Sequence, residues 1–95
     1  MNNKIIELFR KVICSLSCIV NKTKNEETKK QAQEYLNIYI DKYEKYKNNK
    51  ELDITNVEEE VDFCSSCYDD VDIFDYAEDV EYGLLEMIEE INKNN

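Results

Sequence analysis

The chain has no histidine, no proline and no tryptophan, and a single glycine among its 95 residues. Without histidine there is no Ser-His-Asp triad and no imidazole ligand for a metal. All-β sandwiches and barrels use Gly and Pro at their many turns, so this composition excludes them. One glycine leaves no Gly-rich phosphate loop, and the Asp-rich stretch 69–79 lacks the glycine and the spacing of a calcium-binding loop. No run reaches the roughly 20 apolar residues of a membrane span. The apolar stretch from Ile5 to Val20 is broken by Glu7, Arg10 and Lys11, which also spoils a secretory core. Ser15-Leu16-Ser17-Cys18 approaches a lipoprotein cleavage site, but its leucine stands one place too near the cysteine. These features predict a cytoplasmic chain with reduced thiols.

What is present suffices to fold. Hydrophobic residues make up 42% of the chain, above the content of chains that stay disordered. The length fits one domain. The abundance of Asn and Lys associates the sequence with an AT-rich genome, bacterial or viral. The net charge is −10, unevenly divided. Residues 1–50 carry 11 bases and 6 acids; residues 51–95 carry 16 acids and one base, Lys93. The second half thus stands at −15 against +5 for the first. Such a field repels phosphate backbones and attracts basic proteins. A merely solubilising surface is the other reading, although such surfaces usually mix both signs.

Placed on a wheel of roughly 100° per residue, four segments read as helices. In the first, about 4–20, Ile5, Leu8, Phe9, Val12, Leu16, Ile19 and Val20 share a face, with Cys14 and Cys18 turned away from it. In the second, about 26–47, the stripe is Ala32, Tyr35, Leu36, Tyr39, Ile40, Tyr43 and Tyr46. Its four tyrosines serve either as core rings with wet hydroxyls or as a strip facing a partner. The third, about 55–70, opens on a Thr55–Glu58 capping box and carries Val57, Val61, Cys64, Tyr68 and Val71 at helical spacing. Asp69, Asp70 and Asp72 at its end oppose the helix dipole, which hints at a role outside folding. The fourth, about 76–92, repeats the box with Asp75 and Glu78, and its stripe is Ala77, Val80, Leu84, Met87, Ile88 and Ile91. Its outer face carries Asp75, Asp79, Tyr82 and Glu86, with Glu81 and Leu85 at the edge. Gly83 marks either a close backbone approach or nothing in particular. Short connectors between amphipathic helices predict an all-α, single-domain, antiparallel up-down four-helix bundle, with Ile73 and Phe74 plugging one end.

Two cysteine pairs, Cys14-x3-Cys18 and Cys64-x2-Cys67, have spacings compatible with a four-thiolate zinc site, yet no Gly or Pro flanks them and both fall in helices. Ordinary buried or surface thiols, a metal site, and a disulfide or redox pair all stay open. Paired acids such as Glu89-Glu90 are inevitable at this acid content and mark no catalyst, since general acid–base work needs a carboxyl with a raised pKa in a pocket. Neither enzyme activity nor a cofactor is expected.

Asp70-Val71-Asp72-Ile73-Phe74, the acidic tract after it, and a final amphipathic helix through Leu84, Leu85 and Ile88 resemble the C-terminal part of the small colicin D-type immunity proteins. The likeness covers the last third of the chain, and the immunity proteins of contact-dependent inhibition systems are similar in general character. The resemblance implies a cytoplasmic helical inhibitor that blocks the active site of a basic nuclease toxin. Charge alone predicts the same kind of partner, because carboxylates can occupy a site made to hold phosphates. The expected partner-binding residues are Asp69, Asp70, Asp72, Asp75, Tyr76, Asp79, Glu81, Tyr82 and Glu86, on a monomer or homodimer. A phage anti-defence protein that mimics nucleic acid and a four-cysteine metal or redox module are the alternatives.

Overall fold

The computed structural model describes residues 2–54 and 56–93. Four helices follow one another: α1 (Asn3–Lys22), α2 (Glu26–Asn49), α3 (Glu58–Ser66) and α4 (Phe74–Lys93). The body measures 38 × 22 × 19 Å. Its long axis is set by α2, whose 24 residues span about 36 Å at 1.5 Å per residue.

Caps fix the helix ends. Asn2 Oδ1 accepts from the backbone N–H of Lys4 at 2.9 Å, and Asn25 Oδ1 from that of Thr28 at 3.1 Å. Each satisfies a donor left orphaned by the first turn. α2 stops at Lys50, which adopts the left-handed conformation with φ 57° and closes the last turn on the Tyr46 carbonyl.

Neighbouring helices are antiparallel. The start of α1 meets the ends of α2 and α4. The Asn2 N–H donates to the Tyr46 hydroxyl at 3.0 Å, and Asn2 Nδ2 donates to Glu90 at 3.3 Å. At the other end the Thr23 hydroxyl donates to Asp70 at 3.5 Å. The Tyr35 ring lies 5.3 Å from that of Phe63, joining α2 to α3. The Tyr68 hydroxyl, just past α3, donates to Glu81 of α4 at 2.7 Å. The fold is the small all-α four-helix bundle that the periodicity predicts.

Its core is made by the stripes of α1 and α4. Ile5, Leu8, Phe9, Val12, Leu16 and Ile19 are buried against Ala77, Val80, Leu84 and Met87. Tyr39 and Tyr46 complete it from α2, and Tyr43 and Tyr46 pack their rings 5.5 and 6.0 Å from that of Phe9. The α2 tyrosines are therefore chiefly core and interhelix residues. Ile40, read as part of that stripe, is 41% exposed. It sits roughly 100° around the helix from Tyr39, on the flank away from the centre of the interface.

Departures concentrate in α3. The helix spans nine residues, 58–66, where the pattern predicted 55–70. Thr55 and its capping box lie outside the described residues. The Asn56 carboxamide accepts from the Glu58 N–H at 2.9 Å. Because the helix stops at Ser66, the spacing that placed Val71 on its face is not propagated, and Val71 is 93% exposed. Phe63, absent from the predicted stripe, is buried with Cys64 and Cys67. Leu52, Ile54 and Val57 precede the short helix and pack on the core.

α4 also begins earlier than predicted. The Asp70 carboxylate accepts the Asp72 N–H at 3.0 Å, and its carbonyl accepts the N–H groups of Ile73 and Phe74. This turn delivers the chain directly into the helix at Phe74, so Asp75 lies inside the first turn and caps nothing as an N-cap residue. Asp69, Asp70 and Asp72 consequently follow α3 in the turn and approach the N-terminus of α4, where negative charge is favourable. Their apparent conflict with a helix dipole disappears. Ile73 does plug the bundle end, while Phe74 is 40% exposed and leans on Tyr68 with ring centroids 5.6 Å apart.

Candidate functional site: an acidic interface on the C-terminal half

From Glu58 onward the chain has 14 acids and one base, Lys93. α3, α4 and their joining turn carry all of them on adjacent elements. The fold sorts the nine expected partner-binding residues into three groups.

The first lies in the turn. Asp69 is exposed, but the Asp70 carboxylate is engaged twice within the fold, by Thr23 and by the Asp72 N–H. Asp72 stands 4.0 Å from Lys24. The second runs along the outer flank of α4, where Asp75, Asp79, Tyr82 and Glu86 are exposed and Tyr76 is half-buried. This flank borders α1. Glu86 lies 3.8 Å from Lys4, and Asp72, Asp75 and Tyr76 share an open polar depression of about 500 Å³ with Lys22 and Lys24. Lysines of the basic half therefore dilute the field here. Exposed pairs at such distances contribute little to stability, about 0–1 kcal/mol, yet each adds a positive charge to the surface a partner would meet.

Glu81 forms the third group, on the opposite edge of α4. It accepts the Tyr68 hydroxyl, and burial together with that hydrogen bond raises the phenol's pKa. A matching arrangement occurs between α2 and α3. There the Tyr39 hydroxyl donates to Glu60, and burial first, then the carboxylate, pushes the tyrosine's pKa up. Both carboxylates act as structural acceptors.

The α3 side of α4 holds features that the wheels did not assemble. Val57, Val61, Leu85 and Ile88 line an open groove of about 490 Å³ with Asn56, Glu58 and Asp62. Among the described residues, Glu58, Glu59 and Asp62 have no cation within 4.0 Å. The sequence contained part of the signal, since Leu85 stood at the edge of the α4 stripe. The length assigned to α3 concealed the rest.

The cysteines do not converge. Cys14 is exposed and Cys18 half-buried on the outer side of α1, whereas Cys64 and Cys67 are buried. Burial pushes the Cys64 thiol up to about 12 and raises Cys67 as well. Among the described residues no three Cys, Asp or Glu side chains are placed to hold a metal ion. Nor, among these residues, is any helix long and apolar enough to cross a membrane.

Compared with protein-family models, with curated proteins and with solved structures, the chain finds no match. The functional reading accordingly rests on the surface itself.

Proposed function

We propose that this protein is a stoichiometric, non-catalytic inhibitor that binds a basic protein partner in the cytoplasm, in the manner of an immunity protein covering the active site of a nuclease toxin. One observation carries the reading: 14 carboxylates with a single base on two adjacent helices and their turn, several of them exposed and, among the described residues, without a cation within 4.0 Å. A surface of one sign accelerates encounter with a partner of the other and rejects partners of its own sign. Nuclease active sites are basic because they hold phosphates, so a carboxylate surface is their natural competitor. Large side chains left exposed among these acids on either edge of α4, Tyr82 at 50% and Leu85 at 44%, offer the apolar contact area that a protein interface needs beside its charges. The resemblance of the C-terminal third to colicin D-type immunity proteins points the same way.

The test is affinity capture of the tagged chain from extract of the organism that encodes it, with washes at low and high salt. A basic protein recovered near one-to-one at low salt, and inhibited by the purified chain in a nuclease assay, is the expected result. Recovery of nothing but the chain itself, or a captured protein whose activity the chain leaves unchanged, would refute the inhibitor reading.

A further inference from the structure

The disparity between α3 and α4 has a geometric consequence. α3 has 9 residues and α4 has 20, so the helices span about 13 and 30 Å. The C-terminal half of α4 therefore extends past the point where α3 begins, and its α3-facing side is only partly covered. Leu85 is left 44% exposed, and Val61 and Ile88 are half-buried. Together with Val57 they floor the groove; Glu58 and Asp62 stand on its rim. This groove differs from the flank beside α1 in that, among the described residues, no lysine or arginine lines it.

We infer that this α3/α4 groove is the docking site for the basic partner. Its occupant is an amphipathic segment of that partner, with an apolar side chain seated against Leu85 and Ile88 and lysines or arginines facing Glu58 and Asp62. The inference rests on the binding reading above and locates its anchor. Charge selects this occupant over the others. A second copy would bring another acidic face against the same acids. Anionic lipid and nucleic acid are repelled for the same reason. An apolar floor with charged rims is the usual form in which a groove receives one face of an amphipathic helix.

The experiment uses the full-length chain, labelled with nitrogen-15, and three synthetic helical peptides: one of Lys and Leu patterned as an amphipathic helix, one with Lys and Ser, one with Glu and Leu. Chemical-shift changes are followed at low and moderate salt, with sedimentation run in parallel. The expected result is saturable binding of the Lys/Leu peptide alone, with the largest shifts at Val57, Val61, Leu85 and Ile88. Leu85→Asp, at an exposed position, should weaken that binding at least about fivefold, as truncation of an anchor does. Asp62→Lys should weaken it and flatten its salt dependence, while Glu44→Lys, at an exposed position on α2, should leave the groove shifts in place. Circular dichroism checks that each variant is folded. Equal binding of the Lys/Ser peptide, or shifts centred on Asp75 and Asp79, would overturn the groove assignment and leave the acidic-binder reading standing. Binding of no basic peptide anywhere would count against both. Groove shifts that depend on protein concentration without peptide, with a dimer in sedimentation, would replace the partner with a second copy.

Discussion

Replacing Gly83 by alanine tests how tightly α1 and α4 are fitted. In a helix interior alanine is favoured over glycine by about 1 kcal/mol, so propensity alone predicts that Gly83→Ala stabilises the protein. The packing predicts the opposite. A Cβ at position 83 would lie 2.9 Å from Val12 Cγ2, closer than real Cβ contacts allow. Val12 is fully buried and β-branched, so it has essentially one side-chain rotamer in a helix and no space to vacate into. Overpacking of this kind costs about 1–3 kcal/mol. The net expectation is a loss of up to about 2 kcal/mol, seen as a fall of several degrees in Tm for a domain of this size. Urea unfolding followed by circular dichroism measures it. Val12→Ala alone should destabilise by about 2 kcal/mol through lost burial and a cavity. In the double variant the new methyl group occupies the space Val12 gave up, and the two changes should couple favourably by about 1 kcal/mol or more. A Gly83→Ala protein more stable than the parent, or strict additivity in the cycle, would show that the helices separate freely and that the close approach sets nothing.

Other expectations follow from the buried hydroxyls and thiols. Tyr39→Phe deprives half-buried Glu60 of its donor and should destabilise by about 1–3 kcal/mol in urea melts. Tyr35, Tyr39, Tyr68 and Cys64 all have pKa values raised by folding. Their protonated forms are the ones the fold favours, so their contribution is complete below the unfolded values, about 9 for the thiol and 10 for the phenols, and is lost as pH rises beyond them. Stability measured from pH 7 to 11 should therefore decline from about pH 9 upward, and less steeply in a Tyr39→Phe, Tyr68→Phe variant; a flat profile would contradict the burial. In a thiol titration of the native protein Cys14 should react first, and Cys64 and Cys67 only on unfolding, which peptide mass mapping of the alkylated protein can read. Glu86→Gln should change stability by less than about 1 kcal/mol, because its pair with Lys4 is exposed on both sides.

Much of the fold is legible in the sequence because the apolar stripes of α1 and α4 have sustained periodicity and short connectors force neighbouring helices to run antiparallel. Where the reading departs from the structure, a local pattern was outvoted by a turn. Val57, Val61, Cys64, Tyr68 and Val71 keep helical spacing over residues 57–71, but Cys67 closes the helix and Asp70 nucleates the next one with its own carboxylate and carbonyl. An aspartate that organises a turn and one offered to a partner look the same in a string of letters. Only the position of the Asp72 and Phe74 N–H groups separates them. Glu81 illustrates the same limit: its place on the wheel was readable, but its tie to Tyr68 depends on where α3 ends.

The charge segregation is likewise transformed by folding. In the sequence, +5 and −15 occupy separate halves. In the bundle, α1 lies beside α4, so Lys4, Lys22 and Lys24 come to border the very flank that the linear pattern marked as most acidic. The opposite flank of α4 faces α3, whose nine residues are all acidic, apolar or hydroxylic and add no cation: no lysine or arginine occurs between Lys50 and Lys93. The purest negative surface must then lie where two elements from the second half meet, at the α3/α4 seam, and not where the acids are densest along the chain. Screening strengthens the distinction, because at physiological salt charges interact over about 8 Å, comparable to the spacing between packed helices. A partner approaching the α1 side meets neighbouring charges of both signs within that range; one approaching the α3 side meets carboxylates around an apolar floor.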